Sequence, residues 1–107
     1  MQIGAHETTN ISMATALLCS EYVVLDGEGG AEERVDATPI TIVNTVPVVL
    51  QPGRKPICSF VLGCADSKLL YEKVKLYKEK RLVVRGETYD VFKKRVVDEI
   101  RKTRGKD

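Results

Sequence analysis

Gly53-Arg54-Lys55-Pro56 sets two cations directly ahead of a proline, and Ile57, Phe60, Val61 and Cys64 follow at the spacing of one helix face. Proline suits the first position of a helix, where the N–H it lacks would be unpaired anyway. The free N–H groups of that first turn, together with Arg54 and Lys55, could cradle a phosphate. A second position of this kind is Arg85-Gly86, which closes the β-branched run Leu82-Val83-Val84 on a residue that permits a sharp turn or a close approach. Lys80 and Arg81 lead into the same run, and with Lys73, Lys75 and Lys78 they could extend a cationic surface. The same lysines would equally serve as the solvated side of an amphipathic segment. Tyr71, Tyr77 and Tyr89 are candidates for stacking on unpaired bases or for packing on a core.

Other chemistries find little footing. Cys58 and Cys64 are six apart, which fits no common zinc spacing, and no histidine stands near them. His6 is the only histidine, so a histidine base or nucleophile relay is not expected. No P-loop or dinucleotide fingerprint is present. The expectation is a protein that is not an enzyme and needs no metal or cofactor.

The charge map points to the partner. Residues 1–53 hold one basic residue, Arg34, against seven acids, whereas residues 54–107 hold sixteen basic residues against eight acids. The modest net charge of +2 therefore hides halves of −6 and +8. Such asymmetry suggests a polyanion, RNA or DNA, for the second half. At 107 residues the chain suits a single domain, expected over residues 11–102 between a polar leader (1–10) and a basic tail (103–107). No apolar run reaches the roughly 20 residues that span a bilayer, so no membrane partner is expected. Three cysteines within apolar stretches read as small buried residues of a reducing compartment, and the expected location is cytoplasmic.

The elements that must position these residues follow from composition. Ile11 to Leu25 reads as a strand, Asp26 to Glu33 as an exposed acidic loop, and Pro39 to Val43 as the returning strand of a long-tipped hairpin. Asn44-Thr45 reads as a turn into a third strand, Val46 to Leu50, with Pro47 suited to a strand end. A helix is expected from Pro56, and the helix-like pattern of Leu69, Leu70, Val74 and Tyr77 leaves open whether 68–80 is helical or extended. Leu82 to Gly86 reads as a strand, and a last helix capped by Thr88 or Asp90 presents Phe92, Val96 and Ile100 to the core. Its flanks carry Lys93, Lys94, Arg95, Arg101 and Lys102. The expected class is α+β: a two-layer sandwich in the order β-β-β-α-β-α, with a four-stranded sheet and two helices on one face.

In these motifs the chain resembles the Alba family of archaeal chromatin and RNA-binding proteins. Val48-Val49-Leu50 with Gly53-Arg54-Lys55-Pro56 and the run Ile57 to Leu62 resembles the family's first strand, cationic loop and first helix. Leu82 to Gly86 and Val91 to Lys102 resemble its second strand and second helix. The family's hairpin follows that helix, whereas here a hairpin stands at the front, so the resemblance implies a circular permutation. It also implies backbone contacts by Arg54, Lys55 and Arg85 and pairing of two subunits, as a homodimer or with a paralogue. The family often has a second arginine where this chain has Glu87, and its basic hairpin tip is replaced by Asp26, Glu28, Glu32 and Glu33. An acidic tip repels phosphates, which favours RNA, or a protein met by the hairpin, over coating of duplex DNA. Two alternatives accompany this reading: a scaffold or assembly subunit of a ribonucleoprotein, and an OB-fold single-strand binder in which Arg95 to Ile100 would be a strand.

Overall fold

The computed structural model describes residues 3–48, 52–53 and 57–104. Among the described residues six strands and three helices follow one another as β1 (Gly4–Thr8), α1 (Ile11–Leu18), β2 (Glu21–Leu25), β3 (Ala31–Val35), β4 (Ile40–Val48), β5 (Ile57–Cys64), α2 (Ser67–Lys78), β6 (Leu82–Val83) and α3 (Gly86–Arg104). Two antiparallel three-stranded sheets result, ordered β1-β5-β4 and β3-β2-β6. The class is α+β, as expected, but two small sheets and three helices replace the single four-stranded sheet with two helices.

The largest departure lies at residues 57–64, where a strand stands in place of the expected helix. Apolar residues at 57, 60, 61 and 64 match a helical stripe, yet the same run also alternates as Cys58, Phe60, Leu62 and Cys64, all buried. A central strand covered on both sides is a continuous apolar run, which periodicity alone does not separate from a buried helix. β5 holds that central place, pairing with β1 from Gly4↔Cys64 to Thr8↔Phe60 and with β4 from Ile40↔Cys64 to Val48↔Ile57. A helix over 57–64 is thereby excluded, while Pro56 itself lies outside the described residues.

The expected strand Ile11–Leu25 is instead a helix and a strand. Asn10 caps α1, its Oδ1 accepting the Met13 N–H at 3.0 Å, and residues 13–18 are buried on every side, so no amphipathic stripe marks the helix. Past Cys19 and Ser20, the Tyr-Val-Val run forms β2. Its hairpin partner is β3, not the Pro39–Val43 segment. The turn between them is short because Asp26 Oδ1 accepts the N–H groups of Glu28 and Gly30, while Gly27 and Gly29 adopt positive φ. Those N–H groups hold the Asp26 carboxyl below the usual carboxylate range.

The Asn44-Thr45 turn is absent. Both residues lie within β4, an edge strand that bulges between Ile42 and Asn44 and contains Pro47, a residue that edge strands tolerate. Gly4–Thr8, within the expected polar leader, forms an edge strand. Gly4 lies tight against the start of α2, since a Cβ there would lie 2.8 Å from the Ser67 backbone.

The main core gathers Met13, Ala14, Leu17 and Leu18 of α1, Ile40 of β4, alternate residues of β5, Leu70 and Val74 of α2 and Val96 of α3. Phe92 and Ile100 flank Val96 against it, the face expected of this helix. A smaller cluster of Tyr22, Val24 and Leu76, joined by Leu82 and Val84, ties the second sheet to α2.

Candidate nucleic-acid interface

Of the open segment 68–80, residues 68–78 are helical in α2, and Glu79 and Lys80 form its closing turn. Asp66 caps its start by accepting the N–H groups of Lys68 and Leu69. Its inner face is Leu70, Val74 and Leu76, with Lys73 among them. Lys68, Tyr71, Lys75 and Lys78 fall at i, i+3, i+7 and i+10, along one outward flank. Among the described residues none of these three lysines makes an ion pair, and Tyr71 between them is 53% exposed. A long 3.5 Å hydrogen bond from the Tyr71 hydroxyl to the Ala5 carbonyl holds the ring against the edge strand β1. His6 of the same strand lies near Lys78. Burial first, and then that ammonium, keep its imidazole below the ordinary value of 6.5.

Lys80, also exposed, lies just past the helix end. The Lys80 N–H reaches the Tyr77 carbonyl at 3.0 Å and the Arg81 N–H reaches that of Leu76 at 2.9 Å, the paired closure of a Schellman motif. Lys80 itself has φ 61°, a left-handed position that ordinarily selects glycine.

The other expected site residues are placed differently. Arg54 and Lys55 lie outside the described residues. Arg81 is committed to the fold: its Nε donates to the Leu25 carbonyl at 2.6 Å and its guanidinium meets Glu79 at 3.4 Å. Arg85 is exposed and pairs with Glu33 of the acidic hairpin at 3.1 Å. Gly86 opens α3 with open space where a Cβ would stand, so no close approach explains it. On α3, Lys93, Lys94, Arg95, Arg101 and Lys102 alternate with Glu87, Asp90, Asp98 and Glu99, which makes a mixed solvated surface.

Lys73 is the clear correction. Counted among surface cations, it is buried, and its Nζ donates to the carbonyls of Leu17 (3.0 Å) and Cys19 (2.5 Å) and to Asp36 Oδ2 (2.6 Å), 4.4 Å from the Tyr22 ring centre. Burial pushes its ammonium down from the ordinary value, and Asp36 opposes that shift. Tyr22 is pushed up, by burial first and then by the Asp36 carboxylate. Cys19, Cys58 and Cys64 are buried and unpaired, and burial raises the Cys19 thiol to about 11.

Among the described residues no cluster of histidine, cysteine or carboxylate side chains could hold a metal ion, and no helix is long and apolar enough to cross a membrane. Arg95 to Ile100, the segment that a barrel would need as a strand, lies within α3. Compared with protein-family models, curated proteins and solved structures, the chain matches none.

Two contributors escaped the sequence reading. Lys68 was passed over although it stands three residues before Tyr71, a spacing that becomes a signal once 67–78 is known to be helical. The Lys73–Asp36 pair spans 37 residues and leaves no local trace in the sequence.

Proposed function

We propose that this chain is a nucleic-acid-binding protein that acts through backbone charge and shape, with the outward flank of α2 and the Lys80 turn as its contact surface. The observation that carries this reading is the run Lys68, Lys75, Lys78 and Lys80: four exposed ammonium groups, none neutralised by an acid among the described residues, around one exposed aromatic ring. The acids nearest this row in sequence, Glu72 and Glu79, meet Arg34 and Arg81 and not these lysines. A row left unneutralised favours a polyanion, which would release counterions on binding. Lys80 adds weight, because a side chain kept where glycine would be less strained points to a role for that side chain. In this reading Arg85 serves the fold or the hairpin while Glu33 occupies it, and the acidic hairpin steers phosphates toward α2. The Alba resemblance adds the expectation of RNA or DNA as ligand. The motif said to open its first helix leads into β5 here, so the proposal rests on α2.

Reversing Lys75→Glu and Lys78→Glu together tests it. Both side chains are exposed and the fold should survive. Binding should weaken for every sequence, and the slope of log affinity against log salt should shrink by about 1.4, at roughly 0.7 per lost single-strand phosphate contact. Unchanged binding would remove the α2 flank from the interface.

A second reading, a subunit of an assembly that pairs with itself or a paralogue, is favoured by the outer face of the second sheet. Val35 (70%), Val83 (44%) and Leu25 (38%) are exposed there beside Glu21 and Glu33. Light scattering that gives twice the 11.9 kDa chain mass at micromolar concentration would support it.

A further inference from the structure

We infer that Tyr71 is a stacking platform and that the α2 flank selects polynucleotide strands with unpaired bases; this rests on the binding reading above and names the ligand class. A lysine row alone would hold single strands and duplexes alike, since both present phosphates. Tyr71 breaks that equivalence. Its ring is the one aromatic side chain on the flank, and it is bracketed by Lys68 one turn before and Lys75 one turn after, with Lys78 beyond. From Lys68 to Lys78 the helix rises about 15 Å, a span of a few nucleotides.

A phosphodiester chain lying along Lys68, Lys75 and Lys78 therefore carries its bases past an aromatic ring more than half exposed and tethered at its hydroxyl end to the Ala5 carbonyl. An unpaired base can swing onto such a ring, whereas a base within a duplex is already stacked and turned inward. Base stacking is sequence-tolerant because every base has a π-face, so no base-reading side chain is needed. The other tyrosines do not stand on this flank: Tyr22 is buried beside Lys73, Tyr77 packs on the main core, and Tyr89 is a half-buried residue of α3.

The experiment compares oligo(U) and oligo(dT) of about 15 nucleotides with a duplex of the same length at one salt concentration, using wild type, Tyr71→Ala, Tyr71→Phe and the Lys75→Glu/Lys78→Glu variant. Tyr71→Ala should lose at least about 5-fold in single-strand affinity, keep its salt slope and leave duplex affinity unchanged; Tyr71→Phe should bind like wild type. Tyr71→Trp gives a second readout, because the chain contains no tryptophan, and its emission should be quenched by single strands and not by duplex. If Tyr71→Ala binds single strands as wild type does, or loses both ligands equally, the stacking inference is overturned. A lysine variant that still loses binding in that case would leave the charge-based function standing. If wild type binds neither ligand, both fall together.

Discussion

Lys80 occupies a left-handed position at the C-terminal closure of α2, where an L side chain costs about 1 kcal/mol relative to glycine. Lys80→Gly should therefore raise stability by about that amount, measured by urea denaturation, and weaken polynucleotide binding. A stabilised variant that binds as well as wild type would show that the lysine is incidental. His6 supplies a second residue-scale test. Its folded-state pKa lies below 6.5, so just under that value the unfolded chain holds more protons and stability rises with pH. Stability at about pH 7.5 should exceed that at about pH 5.5, and His6→Gln should remove part of the difference; an unchanged profile would contradict the burial of this imidazole.

Among the elements, the one that joins the layers is α2, through Lys73. α1 has no basic residue in its last turn, and the Lys73 ammonium takes up its terminal carbonyls at Leu17 and Cys19 from the neighbouring helix. Asp36, just past β3, balances the charge with one oxygen, while its Oδ1 has no hydrogen-bond partner among the described residues. Removing the cation alone leaves a buried carboxylate uncompensated, so Lys73→Met should cost about 3–5 kcal/mol. Adding Asp36→Leu should recover much of that loss, and a double variant no more stable than the single one would contradict the pairing. None of this was visible in the sequence, where Lys73 looks like its surface neighbours. The helices α2 and α3 were partly legible because each buries one face and shows the other to water; Phe92, Val96 and Ile100 mark that face on α3. α1 and β5 were misread for the opposite reason. Residues 13–18 of α1 and all of β5 but Ile57 and Val61 are buried, so period 3.6 and period 2 leave little polar counterpart to count, and the pairing of β5 between β1 and β4 depends on segments distant in sequence. For the interface, Lys80 and the aromatic candidate Tyr71 could be named beforehand, but the flank they share required knowing that 67–78 is helical.

At the scale of the molecule, the acidic and basic halves of the sequence do not separate into two bodies. Arg34 of β3 bridges to Glu72 of α2 at 2.9 Å and Arg85 meets Glu33, so part of the charge contrast is used within the fold. What remains unneutralised on α2 among the described residues is the lysine flank, the surface proposed to bind a polynucleotide backbone. The direct test is fluorescence anisotropy of a labelled oligo(U) with the wild-type chain, titrated at salt concentrations from about 50 to 300 mM. Four lysine–phosphate contacts predict that log affinity falls linearly with log salt at a slope of about −3, at roughly 0.7 per single-strand contact. No binding at about 50 mM, or affinity that does not change with salt, would contradict the account.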